Sequence, residues 1–257
     1  MPLLTDLLDA ISGGRVEIID LTAPLSADTP ILQLPPPFAN TIPFSLELIS
    51  RYDDAGPAWY WNNIHTGEHT GTHVDAPVHW ASGKDGADVS QLPLGQLVAP
   101  AVVVDVSAKV ADDPDYLLSV EDVKEWEAAN GSLPAAWFLL RTGWDERSAD
   151  AGRFLNADDT GSHTPGISAE CARWLAEETP VLGLGVETVG TDAGAAHSFE
   201  PAFPCHNYFL GAGKMGLTQL RNVASLPPAG AVLVVSPLPI VGGSGSPARV
   251  YALVERG

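Results

Sequence analysis

Residues 68–79 read EHTGTHVDAPVH and place three histidines, a glutamate, an aspartate and a proline in twelve positions. This stretch restricts the backbone more than any other in the chain. His69 and His73 stand four apart, as on one face of a helix, yet Gly71, the β-branched Thr70, Thr72 and Val74, and Pro77 all disfavour a helix. The alternative is a turn at Gly71 followed by an extended run, in which residues 73, 75, 77 and 79 share one face by the period of two. His73, Asp75 and His79 then point the same way, and the turn at Gly71 returns His69 to them. Pro77 stops the run from pairing as an ordinary central strand.

Two imidazoles and one carboxylate at this spacing suit a divalent ion such as zinc, manganese or iron(II), and three protein ligands leave positions open for water and substrate. The expected ligands are therefore His69, His73 and Asp75. His79 follows just beyond, and its ordinary pKa lies near the operating pH, so it is the expected proton carrier in a hydrolysis carried out by metal-bound water. Glu68 is read as a solvated group or a support to the ligands. His65, His163 and His197, taken singly, are read as hydrogen-bonded structural histidines.

The rest of the composition narrows the partners. A formal charge of -19, with few and scattered Lys and Arg residues, repels phosphate backbones, so nucleic acid is not expected. No apolar run approaches the length of a membrane span. The start, MPLLTDLLDAISGG, has acidic residues and no basic segment ahead of an apolar stretch, which predicts a cytoplasmic protein. Cys171 and Cys205 are read as small buried residues rather than as a disulfide or a nucleophile.

Strand patterns occur at RVEIIDLT, FSLELISRY, LVAPAVVVDVS, AWFLLRTGW and PVLGLGVE, and two more close the chain on either side of a glycine-rich turn, GGSGSP. SVEDVKEWEAANG, with Ser119 as N-cap, and SAECARWLAEE, with Ser168 as N-cap, read as helices. APLSADTPILQLPPPFANTIPF is too rich in proline for regular structure and reads as a long functional loop. With no linker in sight, the pattern predicts one domain over 1–257, of the α/β class with α+β as the alternative, built on a mixed, barrel-like sheet flanked by helices.

HTGTHVDAPVH resembles the His-x-Gly-Thr-His-x-Asp-x-Pro-x-His signature of the metal-dependent cyclase-like hydrolases, a family that includes bacterial kynurenine formamidase and isatin hydrolase. LLRTGW, HTPGIS, LGVETVGTDAG, FPCHNYFLGAG and GSGSPARV extend the resemblance over nearly the whole chain. It implies a swivelling β/β/α fold, homodimers or higher homo-oligomers whose loops complete a neighbour's active site, metal ligation by His69, His73 and Asp75, and acid/base catalysis by His79. In the two-metal formamidases of this family a later histidine and a glutamate twelve residues beyond it hold a second ion. The matching histidine is His206, but twelve onward stands Thr218. The resemblance thus implies one ion per chain, manganese expected and zinc compatible, with His206 left for a substrate or proton-relay contact or as a buried histidine near a helix start.

The expected activity is hydrolytic opening of a small cyclic amide, isatin or a related lactam. N-formylkynurenine hydrolysis, lactonase or dehydrating cyclase chemistry, and a non-catalytic metal-binding scaffold are the alternatives. Trp80, Tyr60, Trp61 and Phe38 are candidate substrate contacts, and Glu187 and Asp192 are candidates to orient the metal ligands, with capping or turn duties as the alternative.

Overall fold

A computed structural model describes residues 2–34 and 36–256. Ten strands and three helices suffice to place the site. The strands are β1 (Val16–Asp20), β2 (Ser45–Asp53), β3 (Gly56–His65), β4 (His73–Asp75), β5 (Val98–Asp105), β6 (Trp137–Arg141), β7 (Gly183–Val186), β8 (Met215–Thr218), β9 (Ala229–Pro237) and β10 (Gly245–Glu255). The helices are α1 (Leu3–Ser12), α2 (Val120–Asn130) and α3 (Ala169–Glu178).

Eight strands form one mixed sheet in the order β1-β10-β9-β5-β6-β7-β8-β4, and β4 also pairs with β10, which closes seven of them into a barrel. The three central pairings, β5–β6, β6–β7 and β7–β8, are parallel, and the others are antiparallel. The valine-rich β5 explains its own central position, because such strands are buried on both faces. Ala101 and Val103 join Trp137 and Leu139 of β6 in the barrel interior. Val102 and Val104 join Phe138 and Leu140 in a second core, where Cys171, Ala172 and Leu175 of α3 pack on the outside of the sheet.

Both anticipated caps are present. The Ser119 hydroxyl accepts from Asp122 N and the Asp122 carboxylate accepts from Ser119 N, while Ser168 accepts from Cys171 N. Cys171 and Cys205 are buried, and burial raises the Cys171 pKa to about 12 and that of Cys205 well above its usual value, so both thiols are inert. His65 and His163 are hydrogen-bonded, to Glu47 and Asp115.

Three elements lie outside the strand and helix patterns read above: α1, β3 and β8. The strand β3 pairs with β2 in a separate hairpin that bears several exposed apolar side chains, so neither alternation nor a buried run marks it. The four-residue β8 is too short for its period to show. Apart from Pro35, residues 23–44 carry no helix or strand, as the proline content requires. Among the described residues, no helix is long and apolar enough to cross a membrane.

Candidate active site

The site forms on β4, where the barrel closes. Asp75 lies opposite Gly216 of β8 on one side and Gly245 of β10 on the other. Neither neighbour can carry a side chain: a Cβ on Gly216 would stand 2.7 Å from Asp75 Oδ2, and one on Gly245 would stand 2.5 Å from His69 Cε1. Gly71 has φ +65°, the left-handed conformation that the predicted turn needs. That turn brings His69 back until its Nδ1 is 2.8 Å from Asp75 Oδ1.

His79 reaches the cluster by another route than the extended one. Extended pairing stops at Asp75, and Pro77–His79 form a helical turn with proline at its first position. Proline lacks the N–H that strand pairing would use and is already set in φ for a helical turn, so the period of two does not extend to residue 79. The turn stacks His79 on His69, with ring centroids 3.9 Å apart.

His73 is buried, and its tautomer follows from its partners. Nδ1 lies 2.7 Å from Gly71 O, a carbonyl that can only accept, so Nδ1 bears a hydrogen and Nε2 is the nitrogen left to meet an ion. Nε2 is 3.3 Å from Asp75 Oδ1. The nitrogens of His69 and His73 therefore meet one carboxylate oxygen. Burial alone would raise the Asp75 pKa, but hydrogen bonds from both histidines and their charge outweigh it and hold the carboxyl well below its usual range. Two imidazoles converging on a buried carboxylate is a donor set that fits a divalent cation. The ligating atoms of His69, Asp75 and His79 also lie within 4.8 Å of one another.

His79 and His73 differ in how they are held. Among the described residues no group hydrogen-bonds the His79 ring, whereas His73 is fixed by Gly71 O and by Thr218 Oγ1 at 2.9 Å. Burial lowers the His79 pKa to about 4, assisted by the neighbouring histidines and opposed by Asp75, which favours a neutral ring able to accept a proton. A ligand is normally fixed from behind, while a proton carrier needs free nitrogens.

His206 opens a helical turn at His206–Leu210 and faces the cluster, its Nε2 3.9 Å from Asp75 Oδ2. Asp192 holds it from behind. The carboxylate is 2.5 Å from His206 Nδ1 and accepts from the backbone N–H of Cys205 and His206. Burial would lower the His206 pKa, but the hydrogen bond and charge of Asp192, joined by Asp75, raise it. Thr218 stands directly opposite His73 in the β8–β4 register, so the position that departs from the two-metal pattern does face the site, with a hydroxyl in place of a carboxylate.

Of the expected aromatic contacts, Trp80 is at the site, its ring 4.7 Å from His206 and 5.6 Å from Phe203, a neighbour that the sequence reading missed. Tyr60 and Trp61 stand exposed on the β2–β3 hairpin and Phe38 is exposed on the proline-rich loop. Glu187 is buried, and its Oε2 accepts from Thr142 N, Thr142 Oγ1 and Trp144 N and so anchors the loop after β6. Ser244, also missed, touches both Glu68 and His69.

The sequence matches the family described as "Putative cyclase" over residues 19–193. It is 45% identical over 248 residues to the isatin hydrolase of Roseibium aggregatum, covering 95% of this chain and 94% of that one. The structure of isatin hydrolase A from Ralstonia solanacearum superposes with a TM-score of 0.96 at 48% identity, covering 99% of this chain and 98% of the other. An isatin hydrolase bound to the product analogue thioisatinate superposes equally well, with a TM-score of 0.96, 44% identity and 98% coverage of both chains. With its barrel, its signature segment and these relatives in agreement, the chain belongs to the cyclase family and is a hydrolase of that family.

Proposed function

We propose that this chain opens isatin, or a closely related small cyclic amide, by metal-dependent hydrolysis. The observation that carries this reading is the convergence of His69 Nδ1 and His73 Nε2 on Asp75 Oδ1, at 2.8 and 3.3 Å, beside His79, whose ring makes no hydrogen bond among the described residues. A divalent ion held by these three residues supplies a lowered pKa for water and polarisation of the amide carbonyl. His79 takes the proton from the attacking water and returns it to the nitrogen as the carbon–nitrogen bond breaks. His206, held by Asp192, and Trp80 border the same space and orient the ring.

The similarity to isatin hydrolases supports the substrate. Thr218, a hydroxyl opposite His73, supports one ion per chain, with manganese expected, over the two-metal formamidase arrangement. Trp59, Tyr60, Trp61 and Ile64 of the hairpin, with Phe38 and Ile42 of the loop, are exposed in one chain and support an oligomer in which a neighbour's loop completes the site. Assaying isatin and N-formylkynurenine side by side tests the substrate: ring opening of isatin with a far larger kcat/KM is expected, and a preference for the formamide would overturn it.

A further inference from the structure

We propose that Glu68 and Ser244 are positioning residues that fix which nitrogen of His69 is offered to the metal, an inference that rests on the metal reading above. Ser244 lies in the glycine-rich segment between the last two strands, 176 residues from Glu68. Its hydroxyl has one hydrogen and two neighbours, Glu68 Oε2 at 2.6 Å and His69 Nε2 at 2.9 Å. Glu68 Oε2 also accepts the Ser244 backbone N–H at 3.1 Å.

The shorter contact, to the carboxylate, takes the hydroxyl hydrogen, because a hydrogen bond to a charged acceptor is the stronger one. The hydroxyl then has only lone pairs to offer His69, so Nε2 must bear a hydrogen and donate it. A neutral imidazole with hydrogen on Nε2 has its lone pair on Nδ1. That is the nitrogen 2.8 Å from Asp75 Oδ1. His73 shows the mirror arrangement: Nδ1 gives its hydrogen to Gly71 O, and Nε2 is the nitrogen beside Asp75. An ion beside Asp75 would take the place of the hydrogens that these two nitrogens give the carboxylate in its absence, and opposite tautomers, with hydrogen kept on Nε2 of His69 and on Nδ1 of His73, then present Nδ1 and Nε2 to it.

The glycines flanking Ser244 serve the same arrangement. A Cβ on Gly243 would stand 2.9 Å from Glu68 Oε1, and one on Gly245 would stand 3.0 Å from His69 Nδ1. Ser244 is pinned through its backbone as well, since its carbonyl accepts from Ala76 N at 2.9 Å, one residue beyond Asp75. GGSGSP is therefore more than a tight turn: it carries the hydroxyl that sets the His69 tautomer.

Outer partners of metal-bound histidines typically contribute about 10–100-fold in metal affinity. The test uses zinc, which is diamagnetic. Long-range proton–nitrogen NMR of the histidine rings in the zinc-loaded protein is expected to show His69 bound through Nδ1 with hydrogen on Nε2. Chelator competition is expected to show zinc affinity weakened about 10–100-fold in Ser244→Ala and in Glu68→Gln, with little further loss in the double variant. Glu68→Gln keeps the shape of the side chain and serves if Ser244→Ala fails to fold. Ligation of His69 through Nε2, or affinity within about twofold of wild type in the folded variants, would overturn the proposal while leaving the metal site standing. Failure of the wild-type protein to bind zinc or manganese would overturn both.

Discussion

The closing strand of the barrel and the β2–β3 hairpin both carry unusual sequence, and one folded chain treats them in opposite ways. Around β4 the side chains are buried and each of His69, His73 and His206 has hydrogen-bond partners behind it. On the hairpin, Trp59, Tyr60 and Trp61 are about half exposed, and no strand of the barrel pairs with it. A buried polar cluster must satisfy itself within the fold, so its geometry can be read from a single chain. Exposed aromatics make few such contacts, so a single chain fixes less of their role. The reaction class is therefore legible at β4, while the hairpin aromatics carry no comparable geometry.

The two regions should respond differently to substitution. Asp75→Ala removes the group on which both histidines converge, and isatin hydrolysis is expected to fall by about 10³-fold or more together with loss of metal binding, measured by metal content and steady-state kinetics. His79→Ala is expected to lower kcat by about 10²–10⁴-fold while metal stays bound. Equal loss of metal in the two variants would erase the distinction between ligand and proton carrier. Trp61→Ala on the hairpin is expected to change the unfolding free energy of one chain by no more than about 0.5 kcal/mol, because the side chain is exposed. The same substitution should raise KM several-fold and weaken self-association, measured by sedimentation. Unchanged association would break the comparison.

A further effect, on stability alone, belongs to neither region. At the back of the sheet Asp122 is buried beneath Lys109; burial would raise its pKa, but hydrogen bonds from Lys109, Ser119 and Tyr116 lower it to about 2. A folded pKa below the unfolded value near 4 gives stability that is fully present above about pH 4 and is lost as pH falls through about 2. Lys109 is half exposed, so solvent screening limits the contribution to about 1–2 kcal/mol. Urea unfolding between pH 2 and 5 should show this dependence in wild type and lose it in Asp122→Asn.

Much of this was visible in the sequence because it is local. Gly71, Pro77, the β-branched residues and the histidine spacing fall within one short segment, and the caps at Ser119 and Ser168 follow from three-residue patterns. The route to His79 was misjudged because Pro77 starts a helical turn where alternation would have continued. Glu187, for which the sequence leaves both ligand orientation and a turn duty open, anchors the loop after β6 because Thr142 and Trp144 offer it three donors. Ser244, Phe203 and the register that places Thr218 opposite His73 depend on contacts between distant segments, and no periodicity records those.

The central claim is that the cluster on β4 holds one catalytic ion. Protein stripped with chelator and titrated with manganese, with isatin hydrolysis followed at each addition, tests it most directly. Activity should start near zero, rise linearly and reach a plateau at one ion per chain. Full activity without added ion, or a plateau only at two ions per chain, would contradict it.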